Sequence, residues 1–154
     1  MRKVIFIIIV VVFFIGCTKD EEGNIVWPIM SAIIDDEEWN TATPVAVLEE
    51  DKFIINGTSL SGKSLSITVF GTDEGKYELN LTSTKVAAVY KESINMTTKD
   101  AYISVTGEVD LTTVNNSKKS ISGTFSFIVV RNLTNTINIT EGKFSNVIYT
   151  VTGQ

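Results

Sequence analysis

Cys17 is the only thiol in this 154-residue chain. Before it come Arg2 and Lys3, twelve apolar residues from Val4 to Ile15, and Gly16. A disulfide within the chain needs a second cysteine, so the sulfur is free for another role. Its place after a short apolar run points to modification at a cleavage point. The other reactive groups are carboxylates: Asp35-Asp36-Glu37-Glu38, Glu49-Glu50-Asp51, Asp73-Glu74, and the pair Glu108 and Asp110. Two facing carboxylates can hydrolyse a glycosidic bond. The first three sets fall in polar turns, where charges are normally solvated. Glu108 and Asp110 share one face of a strand and become site candidates only if that face lines a cavity. There is no histidine, which removes Ser-His-Asp and Cys-His catalysis and every imidazole metal site. The acidic turns lack the alternating ligand spacing of a calcium loop, and no glycine-rich loop precedes a helix to cradle phosphate. The expectation is a protein with no cofactor, no metal and no enzymatic activity.

The N-terminal segment reads as an address. Arg2 and Lys3 hold the start on the cytoplasmic side and the apolar run enters the membrane. Twelve residues suit a signal core of about 7–15 and fall short of the roughly 18 that a spanning helix needs. Phe14-Ile15-Gly16-Cys17 resembles the lipobox of bacterial lipoproteins, with Phe14 in place of the usual leucine. The resemblance implies a signal peptide over residues 1–16 and lipidation of Cys17. It further implies three acyl chains, enough for stable attachment where a single chain is marginal. Lys19-Asp20-Glu21-Glu22 resembles the Lys-plus-acidic export signal of surface lipoproteins in Bacteroidota. Residues 17–30 then form a tether, and 31–154 one β domain. The expected location is the outer membrane, anchored by lipid and facing the cell surface, with a periplasm-facing orientation as the alternative.

Removing residues 1–16 takes Arg2 and Lys3 from the 13 basic side chains. Eleven then stand against 18 acidic ones, a net charge near −7. Such a domain is poorly suited to nucleic acid, whose phosphates are neutralised by Lys and Arg, and to adsorption on anionic lipid by charge. The remaining 138 residues suffice for one domain with a core that needs no disulfide.

From Ser31 the chain alternates polar and apolar residues and is rich in Thr, Val and Ile, the pattern of half-buried strands. Strands are expected at 31–34, 42–48, 53–60, 65–70 and 76–81, then at 86–90 with less periodic support. Three longer ones follow at 101–114, 120–130 and 136–152. Ile103, Val105, Gly107, Val109 and Leu111 share one face of the first long strand; Ile121, Gly123, Phe125, Phe127 and Val129 share one face of the second. Glu141-Gly142 suggests a bulge in the third. Gly107 and Gly123 on inward faces suggest sharp bending or the close approach of a large side chain. Short polar turns without helices imply an antiparallel meander, since parallel neighbours need crossovers of a dozen or more residues. About nine strands must fold as a sandwich or a flattened barrel. The aromatics Trp27, Trp39, Tyr77, Tyr90, Tyr102 and Tyr149 mostly follow the alternation and read as core rather than as a sugar-stacking platform. Six Asn-x-Ser/Thr triplets, at Asn56, Asn80, Asn95, Asn115, Asn132 and Asn138, are what an Asn- and Thr-rich composition generates.

The segments Ala32-Ile33-Ile34-Asp35-Asp36-Glu37-Glu38-Trp39, Gly107-Glu108-Val109, Ile121-Ser122-Gly123-Thr124-Phe125-Ser126-Phe127 and Ile139-Thr140-Glu141-Gly142-Lys143-Phe144-Ser145-Asn146-Val147 occur in that order. Together they resemble an uncharacterised family of Bacteroidota lipoproteins, across most of residues 31–150. The resemblance implies fold and anchoring and supplies no catalytic residue. The functional expectation is a non-enzymatic binding module with an unknown extracellular or periplasmic partner, held to the membrane through lipid on Cys17. The alternative is a calycin-like barrel carrying a small apolar ligand.

Overall fold

The computed structural model describes residues 29–152. Eleven strands account for most of them: β1 Ile29–Ile34, β2 Glu37–Thr41, β3 Val45–Glu49, β4 Lys52–Thr58, β5 Ser64–Val69, β6 Gly75–Asn80, β7 Ser83–Thr84, β8 Val86–Lys91, β9 Tyr102–Asn115, β10 Ser120–Arg131 and β11 Asn135–Thr152. A single 3-10 turn, Thr98–Asp100, precedes β9. β1 begins at Ile29, two residues inside the expected tether. The two strands beyond the expected nine are β2 and β7.

The strands close a ring. β11 pairs with β3, then β4, β5, β8, β9 and β10 follow, and β10 returns to β11. Closure pairs each of these seven strands on both sides over part of its length, which removes the open edges of a flat sheet there. The long strands run past the ring, and two hairpins extend the sheet there. β1–β2 pairs along residues 139–145 of β11, and β6–β7 along 107–111 of β9. The expected antiparallel pairing holds except at one seam, where β3 lies parallel to the end of β11, Ala46 beside Tyr149, and meander order is broken also where β1 pairs with β11, β5 with β8 and β6 with β9. The rest of the ring serves as the crossover between these two strands.

The interior is filled by side chains from both walls. Phe53 meets Tyr149 edge-on, with ring centroids 5.1 Å apart. Phe125 stacks with Phe144 at 6.3 Å. Met30, Ile55, Ile67, Leu111, Ile121, Ile139 and Val147 are buried around them. Three glycines let these aromatics approach the backbone. A Cβ on Gly107 would strike Phe127, one on Gly123 would strike Phe144 and the Asp110 carbonyl, and one on Gly142 would strike Phe125. The close approach expected at Gly107 and Gly123 is thus present, and Gly142 adds a third instance.

Bulges keep the long strands in phase with the core. In β11, Ile137 and Ile139 point inward, then Gly142 and Phe144, then Val147 and Tyr149. The inward parity switches at Glu141 and again at Asn146, both with φ near +50°. Each extra residue restores an alignment that strict alternation would lose. β9 corrects the sequence expectation. Its register slips between Ser104 and Thr106, so Ile103 and Val105 are exposed while Gly107, Val109 and Leu111 face in. Leu81, within the strand expected at 76–81, lies beyond the end of β6 and is exposed.

Candidate functional site

Four neighbouring strands present one continuous row. Leu79 of β6 lies opposite Gly107 of β9, Gly107 opposite Phe127 of β10, and Phe127 opposite Ile139 of β11. These residues face the core. Their neighbours along each strand face outward and line a surface cleft of about 480 Å³. Its walls carry Glu78, Asn80, Thr106, Glu108, Ser126, Ile128, Asn138 and Thr140. Gly107 contributes no side chain and sits in the cleft's floor. The bulges at Val105 and Glu141 lie beside the cleft and sharpen the local twist and bend. A second depression of about 320 Å³ adjoins it, sharing Glu108 and Ser126 and adding Thr124, Glu141 and Lys143.

The cleft is acidic and its polar groups are held in place. Glu78 and Glu108 stand directly opposite on adjacent strands, an arrangement that costs repulsion unless a cation intervenes. Lys76 supplies it, donating from Nζ to both oxygens of Glu108 at 3.1 and 3.2 Å. The hydrogen bond and charge of Glu108 push the Lys76 ammonium above its ordinary range, with smaller contributions from Asp110 and Glu78. Asn80 donates from Nδ2 to Glu78 at 3.2 Å, and Thr106 Oγ1 donates to the Leu79 carbonyl at 3.1 Å. Two carboxylates, two amides and three hydroxyls stand around one apolar residue, Ile128, a set of donors and acceptors with the chemistry to match a polyhydroxylated or amine-bearing molecule. A stacking platform is not part of it. Trp39, Tyr90, Tyr102 and Tyr149 are buried, and Tyr77 is half-buried against the core.

Of the residues singled out from sequence, Glu108 lines the cleft and Asp110 does not. Asp110 shares its face but lies one strand repeat further on, opposite Lys76. The acidic turns hold structure together. Asp35 and Asp36 form the two-residue β1–β2 turn with φ of +52° and +64°. Glu37 pairs with Lys63 and Glu49 with Lys52. Glu74 accepts from the Val114 amide at 2.9 Å, and the Asp73 carbonyl accepts from the Tyr77 hydroxyl at 2.8 Å. Among the described residues no cluster of three or more Asp or Glu has the geometry of a metal site. Cys17, Lys19, Asp20, Glu21, Glu22 and Trp27 lie outside the described residues. Sequence reasoning missed Glu78, Asn80, Asn138 and Thr140. The Asn80-Leu81-Thr82 and Asn138-Ile139-Thr140 triplets were visible, but their convergence depends on pairing between distant strands.

The family described as a domain of unknown function, DUF6252, matches residues 27–148. This chain belongs to the DUF6252 family. The match takes in Trp27 and all of the strands from β1 to β10, together with the two bulges of β11, so both walls of the cleft fall within the DUF6252 domain. No curated protein and no solved structure matches the chain.

Proposed function

We propose that this DUF6252 chain is a lipid-anchored envelope protein whose β domain is a binding module, and that the acidic outer cleft takes a hydroxyl-rich ligand of the saccharide class. The cleft carries the reading: a concave surface of carboxylate, amide and hydroxyl groups, with Glu108 and Thr106 held by cross-strand partners and Asn80 bonded to Glu78 on its own strand, on a domain whose interior is already occupied by its own aromatics. Orientation by a few placed polar groups is how ligand sites gain specificity. The filled interior disfavours the alternative of an apolar ligand carried inside the barrel. Anchoring follows from Cys17 at the end of its apolar leader, and surface display from Lys19-Asp20-Glu21-Glu22.

The test has two arms. Palmitate labelling in the native cell should be abolished by Cys17→Ser, and protease shaving of intact cells should remove the domain. Separately, a glycan array should give signals that Ser126→Trp, which fills the cleft, removes. Binding that survives the filled cleft, or an array without signal, overturns the ligand reading and leaves the anchoring result standing on its own.

A further inference from the structure

The two ends of the ring differ in chemistry. Because neighbouring strands alternate in direction except at the β3/β11 seam, the topology places five turns at the end where β9 begins: β1–β2, β4–β5, β6–β7, β8–β9 and β10–β11. Contacts join four of them: the β1–β2, β4–β5, β8–β9 and β10–β11 turns. Lys63 pairs with Glu37, Arg131 pairs with Glu92 at 3.2 Å, and a methyl on Gly62 would lie 3.9 Å from Ile94.

Leucines and isoleucines stand at the tips of four of these turns. Leu60, Leu81 and Leu133 have relative exposures of 110 %, 106 % and 93 %, and Ile94 is also exposed. Ile103 and Val105 add apolar surface just below them. The opposite end carries Glu50, Asp51, Asp73, Glu74, Lys118 and Lys119 in its turns, where Phe70 is the exposed apolar residue, and Ile148 and Val151 are exposed on the adjoining end of β11. Leu133 is unusual in a second way. It holds φ of +59° beside Asn132 at +53°, a conformation that leucine rarely takes. Glycine or asparagine would suit that hairpin better, yet an apolar side chain is projected into water.

We propose that this end docks on the surface of a neutral lipid bilayer, with Leu60, Leu81 and Leu133 entering the acyl boundary. Several observations favour a bilayer over a protein. Side chains that are nearly fully exposed cannot be touching one another, so the tips form separate prongs rather than a contiguous patch. A fluid acyl layer accepts separate prongs, whereas a protein partner would need a matching pocket for each. Two of the charged groups at this end, Glu37 and Glu92, are matched by Lys63 and Arg131, while Asp35 and Asp36 stand against an anionic surface.

Chain length permits the contact. The twelve peptide units from Cys17 to Ile29 span at most about 40 Å, and β1 covers about 20 Å from Ile29 to the leucine-bearing end. An acylated Cys17 therefore allows the domain to reach the membrane with its tips. This proximity rests on the anchoring reading; the tip chemistry does not. Docked in this way, the cleft would lie about 10 Å above the acyl boundary, since Asn80 ends β6 while Asn138 and Thr106 are three and four residues from the starts of β11 and β9.

The experiment uses the full lipidated chain reconstituted in phosphatidylethanolamine–phosphatidylcholine vesicles. Leu60→Cys and Leu133→Cys each provide a thiol for an environment-sensitive fluorophore, with Ser117→Cys as the reference at the opposite end. Both leucines are almost fully exposed, so the fold does not depend on them. The tip labels should shift to the blue and be quenched by spin-labelled lipid at least threefold more than the Ser117 label. Equal, water-like emission at all three sites overturns the proposal and leaves a protein partner as the occupant of the tips. Fluorophore uptake at Cys17 in the parent chain sinks the anchoring reading alone. The tip labels, read on vesicles in a Cys17→Ser chain, still decide the docking.

Discussion

Gly123→Ala tests whether the glycine–aromatic contacts are sterically obligatory. The added Cβ would lie 2.7 Å from Phe144 Cζ and closer still to the Asp110 carbonyl oxygen of the neighbouring strand. A phenyl ring can tilt, but the carbonyl is held in the β9–β10 ladder and can move only with its strand. Overpacking of this kind costs about 1–3 kcal/mol, at the upper end when backbone is the obstacle. Alanine recovers about 0.5–1 kcal/mol of the entropy that glycine loses in a strand. The net loss is about 2 kcal/mol. For 124 described residues the unfolding entropy is about 0.26 kcal/mol/K, so Tm should fall by about 8 °C. Gly57→Ala is the comparison. Its Cβ would meet Thr41 Cγ2 and Trp39 Cη2 at 2.8 Å and Met30 Sδ at 3.0 Å, all of them side-chain atoms. Side chains relax more readily than a paired backbone, so the loss should be about 1 kcal/mol, or about 4 °C. Thermal melting by circular dichroism, with the detergent-solubilised full chain, reads both values. A Gly123→Ala Tm at or above the parent, or a larger drop for Gly57→Ala, would refute the assignment of the Asp110 carbonyl as the fixed obstacle.

Two further outcomes are expected. The Tyr90 hydroxyl is pushed up to about 12, first by burial and then by the negative charges of Glu92 and Glu37, with smaller contributions from Tyr102 and Asp35. Its unfolded value is near 10, so the native state favours the neutral phenol. That contribution is complete below about pH 10 and is lost as pH rises towards 12. Absorbance titration at 295 nm should show a late-ionising component that Tyr90→Phe removes, and Tyr90→Phe should flatten the fall of Tm over this window; an unchanged slope would count against it. Leu133→Gly should raise stability by about 1 kcal/mol, because it relieves a left-handed leucine that makes almost no packing contact, while it lowers spin-label quenching on vesicles. Higher Tm together with weaker lipid contact separates a functional leucine from a merely tolerated one.

The legible part of the fold is the part governed by local alternation. β10 has an unbroken period of two, and its inward face of Ile121, Gly123, Phe125, Phe127 and Val129 could be read directly. β9 defeats the same rule, because a one-residue slip near Val105 reverses the side-chain phase and carries no glycine or proline to mark it. In β11 the Glu141 bulge was marked by Gly142, whereas the Asn146 bulge had no comparable signal. The parallel seam between β3 and β11 joins segments about a hundred residues apart, and nothing local in Val45–Glu49 records its partner. The cleft was half visible for the same reason. Glu108 stood out because two acids share one strand face, but its opposite number, Glu78, is brought there by the pairing of β6 with β9.

Ring closure and site construction use different parts of the chain. The seven strands β3, β4, β5, β8, β9, β10 and β11 close the ring, while the two added hairpins pair the edges of β11 at 139–145 and of β9 at 107–111 that the ring leaves over. The β1–β2 hairpin repays its ordering with buried residues: Met30, Ala32, Ile34 and Trp39 all enter the core. The β6–β7 hairpin places no fully buried side chain there. Tyr77 and Leu79 only lean on it. Ten ordered residues cost on the order of 10–20 kcal/mol in backbone entropy, and so little burial is weak return within the ring's own stability. What the hairpin does supply is Glu78 and Asn80 to one wall of the cleft, Lys76 to hold Glu108, and Leu81 to the row of apolar tips. On the proposed reading it is the element that contributes mainly to recognition, and in it the proposed ligand cleft and the proposed lipid-docking tips meet within six residues of sequence, Lys76 to Leu81.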